Sequence, residues 1–304
     1  MTITDYLLEL FYLVDTQLQT LNLMSLRRRG PRPRLADSEV ITIELAGEFL
    51  GLDTDKAIFE HFKRHHRAEF PALAEVERTR FARQAADLWW VKHRLHQHLA
   101  TRMCGPDPAL PEASPLWVLD SFPLRVCRFK RAPGHKLFRH VASFGKDPTG
   151  ERLYYGLRVH LRCSTQGVGA SMVLTAANVP DIDAVPELVQ GLDKPAAALG
   201  DRNYWAPEKQ RRLAQKGVDL TAPFRKKSRD PDPAAARRIS RLRQVIEPVI
   251  GQLATRFHAQ RTWARDLWHL THRLIRKLLS HTTAVLINAQ QGNPPLQLAK
   301  LITP

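Results

Sequence analysis

Apolar positions recur at helical spacing over residues 4–24, where Tyr6, Leu7, Leu10, Phe11, Leu13, Leu18 and Leu21 mark one face of an amphipathic helix. The basic, proline-broken stretch RRRGPRPR (27–34) ends it. Each proline there removes an amide donor and pushes the residue before it out of the helical region. LADSEVITIELAGEFLG predicts a second helix, with Asp37 or Ser38 as N-cap and Gly51 as its stop. Further helical blocks fit 54–66 and 77–103, the latter with Trp89 and Trp90 on its apolar side. Residues 1–104 thus read as an all-helical domain, followed by a proline-rich linker, GPDPALPEASP (105–115).

The pattern then changes. PLWVLDS (115–121) is a short apolar run bounded by turn formers, as a buried strand would be. LYYGLRVHLRCS (153–164) alternates like a half-buried strand, and ASMVLTAAN (170–178) predicts its hairpin partner across the Gly167–Gly169 turn. A helix fits 183–192 from an N-cap at Asp183, a strand fits AAALGD (196–201), a helix 205–217 and a strand VDLTAPF (218–224). A basic loop (225–236) leads into one long helix over 237–259, and a last basic amphipathic helix covers 263–288. The tail 291–304 is irregular. Strands followed by alternating helix and strand predict an α/β sheet covered by helices over 116–290.

Composition adds the partner. The 46 Lys and Arg exceed the 30 Asp and Glu, a formal charge of +16 that favours a polyanion, nucleic acid first. Cys104, Cys127 and Cys163 form no CxxC pair, which argues against a structural zinc site and suits a reducing compartment. The first residues carry acids within their apolar stretch and resemble no signal peptide. No run is long and apolar enough for a membrane span, so a cytoplasmic location is expected.

Candidate chemistry rests on carboxylates. Asp120 ends the first buried strand and Asp201 ends a later one, directly after Gly200. Ligand sites of open α/β sheets gather at such strand ends. If the two strands are parallel neighbours, the carboxylates converge, and Glu247 on the long helix can supply a third. Oxygen ligands without His or Cys suit Mg²⁺ or Mn²⁺. Two such ions about 3.5–4 Å apart can activate a water or 3′-hydroxyl and stabilise the leaving oxygen of a phosphoryl displacement. Each acid also has a plainer role. Asp120 and Asp201 can cap turns, and Glu247 can pair with Arg243 one helical turn earlier.

VLDSFPL (118–124), LYYGLRVHL (153–161), AANVPD (176–181), LGDRNYW (199–205) and RQVIEPVIGQLATRF (243–257) together resemble the insertion-sequence DDE transposases of bacteria. The upstream RLADSEVITIELAGEFLG is similar to their helical N-terminal region. The resemblance implies an RNase H-like mixed sheet flanked by helices, preceded by the all-α domain as a DNA-recognition unit. It implies Asp120, Asp201 and Glu247 as ligands of two Mg²⁺ (or Mn²⁺) ions, and Arg243 facing a DNA phosphate. It also implies a nucleoid-associated homodimer on double-stranded DNA, holding transposon ends and target. Relatives often carry a Tyr and a Lys where this chain has Ser240 and Ala254, with Arg241 and Arg256 close enough to substitute in charge. They place Lys-Gly after the second Asp, where Arg202-Asn203 stands, and Asn tolerates the left-handed backbone such a turn would need.

The basic stretch 225–243 holds eight Lys and Arg against two Asp. Lys226, Lys227, Arg229, Arg237, Arg238, Arg241 and Arg243, with Arg202, are candidate DNA contacts, and Arg27, Arg28 and Arg29 are candidates for an arm on the DNA backbone. Trp205 either stacks on a base or belongs to the core. Two alternatives stay open beside a transposase: a stand-alone RNase H-like nuclease, and a catalytically silent transposase-derived repressor.

Overall fold

The computed structural model describes residues 1–22, 33–104, 116–147, 153–192, 195–261 and 263–302. Arg27, Arg28, Arg29 and the linker 105–115 lie outside the described residues. The chain forms two compact units, one of Met1–Leu99, Gln252–Ala264 and Trp268–Pro304, the other of Ala100–Gly251 and Arg265–Leu267.

The first unit contains helices α1 (Ile3–Leu21), α2 (Asp37–Phe49), α3 (Asp55–His65) and α4 (Arg78–Asp87), and most of α5 (Trp89–Met103). The helix expected over 77–103 is therefore broken at Leu88. There the Ala85 carbonyl accepts from Lys92 Nζ at 2.9 Å instead of continuing the helical ladder. Ala36, rather than Asp37 or Ser38, is the N-cap of α2, and its amide is taken by Glu39 Oε2. Gly51 does stop this helix, with φ at +76° where a side chain would be strained. α2 is buried on nearly every side, so its Glu44 and Glu48 need buried partners. They find Lys92 on α5, and Arg276 and Lys277 on the tenth and last α-helix, α10 (Leu267–Gln290).

The second unit is built on a six-stranded mixed sheet. Its strands are β1 (Leu116–Cys127), β2 (Ser143–Lys146), β3 (Leu153–Ser164), β4 (Gly169–Ala176), β5 (Ala196–Leu199) and β6 (Val218–Thr221). β3 pairs antiparallel with β1 on one side and with β2 and β4 on the other, while β1–β5 and β5–β6 are parallel. This is a mixed sheet flanked by helices, with the helical region before it in sequence. Helices α6 (Val185–Leu188), α7 (Pro207–Gln215) and α8 (Pro233–Arg243) belong to this unit, and α9 (Ile246–Thr255) runs from it into the first.

Three expectations change. β1 runs six residues past Ser121 and through Pro123, because beyond Val118 only β3 bonds to it and a strand edge tolerates a missing amide. The helix expected over 237–259 is two helices. In one continuous helix the Pro248 amide would bond to the Gln244 carbonyl; proline cannot, and its ring collides there, so the chain turns at Gln244–Val245. The helix expected over 183–192 shrinks to Val185–Leu188, preceded by a 3₁₀ turn.

Candidate active site

The parallel pairing of β1 and β5 sets Val118 opposite Leu199 and stops there. One further step along each strand is Leu119 beside Gly200, and the next is Asp120 beside Asp201. The two acids thus emerge together where β5 ends, the placement expected of a ligand site.

Asp120 is half-buried. Its Oδ1 accepts from the Ser121 amide at 2.8 Å and its Oδ2 from Arg243 Nη2 at 2.9 Å. Burial pushes its pKa up to about 6. Arg243 and the Ser121 amide pull it down without overcoming that push, and the neighbouring Asp201 and Asp181 add to the rise. Asp201 is raised as well, by burial first. Its Oδ1 accepts from the Asn203 amide at 2.8 Å and its Oδ2 from Asn203 Nδ2 at 3.1 Å, so it does cap the turn that follows. That turn is a right-handed 3₁₀ turn over Arg202–Tyr204, and Asn203 does not adopt the left-handed backbone.

Gly200 is fitted to this corner. A Cβ there would lie 2.5 Å from Tyr204 Cβ, so only glycine lets the ring tuck in beneath the strand end. Tyr204 is fully buried and its hydroxyl has no partner among the described residues. Burial raises its pKa well above the ordinary tyrosine value, and Asp181, Asp120 and Asp201 raise it further. An orphaned hydroxyl facing the field of these acids marks polar space that the protein alone does not satisfy.

Asp181 was not singled out by sequence. It is buried, accepts from Ser121 Oγ and from Arg158 Nη1, each at 2.9 Å, and has His160 Nδ1 at 3.5 Å. His160 in turn bonds Thr175 Oγ1 at 2.8 Å through Nε2, and burial lowers its pKa to about 4 despite Asp181. The signal available was Arg158, His160 and Arg162 alternating on one face of an otherwise apolar strand. A part-buried Arg158 needs an acid, and Asp181 supplies it, whereas Arg162 lies over the Trp117 ring at 4.5 Å.

Glu247 stands differently. It lies in the first turn of α9, exposed, with no ion pair among the described residues. No three His, Cys, Asp or Glu among the described residues are grouped so as to hold a metal. The structure therefore joins Asp120 and Asp201 but leaves Glu247 outside the pair. Two half-buried carboxylates with raised pKa values and an all-oxygen donor set do fit a hard divalent cation.

Lys226, Lys227, Arg229, Arg237, Arg238 and Arg241 are exposed and make no ion pair among the described residues. Arg202 is engaged by the Phe224 carbonyl and by Asp230 Oδ2 at 2.9 Å. Arg256 lies over the Phe49 ring at 4.7 Å, within the helical unit. Trp205 packs edge-on against Phe224, with centroids 4.6 Å apart. A cavity of about 650 Å³ opens beside Asp201, with Lys227, Arg237 and Arg243 among its walls.

A family model described as "Transposase DDE domain" matches residues 112–267, just over half of the chain. No curated protein matches it. Among solved structures, the piggyBac transposase synaptic complex with hairpin DNA aligns with 96% of this chain and 76% of its own at 10% identity. The TM-score is 0.44, a likeness too weak to bear on fold or function. No helix among the described residues is long and apolar enough to cross a membrane.

Proposed function

Because the chain belongs to the transposase DDE domain family, we propose that it cleaves the DNA ends of an insertion sequence and transfers the freed 3′-hydroxyl to target DNA. Asp120 and Asp201 would hold the divalent cation, Mg²⁺ or Mn²⁺, with two ions in the full site. When bound, such ions polarise the attacking and leaving oxygens of an in-line displacement. Glu247 is proposed as the third ligand. It lies in the first turn of α9, just beyond the Gln244–Val245 turn, and its exposed side chain is open to metal and DNA.

The observation that carries this reading is the end of the parallel β1–β5 pair, where two half-buried acids stand together and one of them, Asp201, opens onto a cavity walled by cations. The acids alone would repel a phosphodiester. Lys227, Arg237 and Arg243 offset that charge and orient the scissile phosphate beside the carboxylates. Arg238, Arg241, Lys226 and Arg229 extend the positive surface for duplex DNA, and terminal repeats would be read by the helical unit. Because two ends must be held together, a homodimer is the proposed active form.

A labelled insertion-sequence end incubated with Mg²⁺ tests it. Wild type should cut at the end, and Asp120→Asn and Asp201→Asn should not while still binding. If both variants cut as well as wild type, the site is misassigned. Wild type that binds the ends yet never cuts, whichever divalent ion is supplied, would point instead to a repressor.

A further inference from the structure

The connection between β1 and β3 carries charge and aromatic surface that the carboxylate site does not use. From Arg128 to Lys146 it contains Arg128, Lys130, Arg131, Lys136, Arg139 and Lys146 and no acid. All six side chains are exposed, and none makes an ion pair among the described residues. The acid that follows, Asp147, is buried and already holds Arg125 at 2.8 Å.

Set among these cations is an aromatic row. Phe129 and Phe144 have ring centroids 5.5 Å apart, and Phe144 lies 5.0 Å from Tyr155. Phe144 stands on the edge strand β2, directly opposite Tyr155 of β3, so the row is anchored to the sheet. Yet Phe129 is 46% exposed and Phe144 50% exposed. Rings held rigidly at a sheet edge and left half in water offer flat faces to something else. Beside Phe129 a cleft of about 370 Å³ is lined by Arg125, Arg128, Leu153 and Tyr154.

We propose that this connection docks an unpaired DNA strand, whose bases stack on Phe129 and Phe144 and whose phosphates meet the six free cations. Aromatic rings interleaved with cations are what a single strand requires. A duplex hides its base faces and would use the charges alone. The position also suits the strand. Cys127 lies seven residues beyond Asp120 along β1, about 23 Å at 3.3 Å per residue. In duplex DNA each strand rises about 3.4 Å per nucleotide, so about seven nucleotides at most cover that distance, and fewer in the more extended backbone of an unpaired strand. A strand parted from its complement near the carboxylates can run along β1 and reach the rings. This inference rests on the DNA-handling reading above, but it concerns a separate surface.

The test is anisotropy of the full chain with a labelled oligothymidine and with a duplex of equal length, over a salt series and without divalent ions. Phe129→Ala/Phe144→Ala, which removes two stacked bases, should weaken single-strand binding roughly 30-fold or more and leave duplex binding nearly unchanged. Phe129→Trp/Phe144→Trp should retain it. Arg128→Glu/Lys130→Glu touches no packed ring and should flatten the single-strand salt slope by about 0.7 per lost contact. Unchanged single-strand affinity in the folded alanine variant, or equal losses on both DNAs, overturns the proposal. Should the alanine variant not fold, an unchanged salt slope in the charge variant overturns it. Asp120→Asn should bind the single strand like wild type. Ring variants that lose strand binding in a protein that never cuts would sustain this surface and sink the cleavage reading; the reverse result would do the opposite.

Discussion

Arg243 Nη2 donates to Asp120 Oδ2 at 2.9 Å, joining residues 123 positions apart. A helical ion pair with Glu247 is thereby replaced, since Arg243 ends α8 while Glu247 begins α9 beyond the turn. Arg243 also borders the cavity beside Asp201, so one guanidinium faces both an acid and the proposed path of a phosphate. Its Nε is buried without a partner among the described residues, leaving a donor to spare. Arg243→Ala should lower strand cleavage by about 100-fold or more, the scale seen when one transition-state donor is lost. Arg243→Lys keeps the charge but not the fork and should fall between. Cleavage at the wild-type rate in Arg243→Ala would show the contact to be incidental.

The raised pKa values of Asp120 and Asp201 mark two acids whose burial is not matched by positive charge. A cation that binds them in the folded state only should stabilise the fold, by about 2.7 kcal/mol at a hundredfold excess over its Kd. Mg²⁺ or Mn²⁺ should therefore raise the melting temperature by roughly 5 °C or more. Asp120→Asn and Asp201→Asn should each abolish the shift. Glu247→Gln is the informative case, because a full shift in that variant would remove Glu247 from the ligand set in the absence of DNA.

Much of the sheet was legible, and for local reasons. PLWVLDS and AAALGD are short apolar runs that each end on an acid, and pairing them in parallel is enough to bring Asp120 and Asp201 together. LYYGLRVHLRCS spans β3 with the same ends, 153 and 164. What escaped depends on distant neighbours or on one proline. SFGK becomes β2 only because β3 offers it an edge. Pro248 divides a helix whose apolar periodicity runs on unbroken. Asp181 sits in a turn, and its importance appears only when β3 brings Arg158 and His160 to it. The last helix reads as basic and amphipathic, yet Arg276 and Lys277 are buried. Their counterions stand more than two hundred residues earlier, on α2.

Those buried charges carry a stability prediction for the helical unit. Arg276 Nε bonds Glu48 Oε1 at 2.7 Å, and its Nη1 bonds Glu44 Oε1 at 2.8 Å and Asp55 Oδ1 at 2.7 Å. Lys92 Nζ takes the other Glu44 oxygen at 2.6 Å. Arg276→Met would leave acids buried with too few cations, a loss of about 3–5 kcal/mol. Replacing Glu44, Glu48, Lys92, Arg276 and Lys277 together with apolar residues of similar size should cost far less, because the one charge left behind, Asp55, is part-exposed and keeps Arg273 at 3.8 Å. Urea denaturation of the two variants checks this. Equal destabilisation would mean that shape, not charge, governs the site.

Acid should weaken the same unit before its carboxylates titrate. His281 on α10 is fully buried, with Nε2 2.9 Å from Gln252 Oε1 and no partner at Nδ1. Burial, with His96 adding to it, lowers its pKa to about 4. His272, also on α10, falls to about 2 through burial and the nearby Lys92 and Arg276. Both therefore stay neutral in the folded state while the unfolded chain takes up protons below its ordinary value of 6.5. Their stabilisation is complete above pH ~6.5 and is lost as pH falls toward 4, at up to about 1.4 kcal/mol per pH unit for each histidine. His281→Gln removes one of those protons and can keep an amide beside Gln252, so its melting temperature should fall less steeply between pH 6.5 and 4.5. Parallel profiles for wild type and variant would mean that His281 charges in place without penalty, and that its burial does not set the acid limit of this fold.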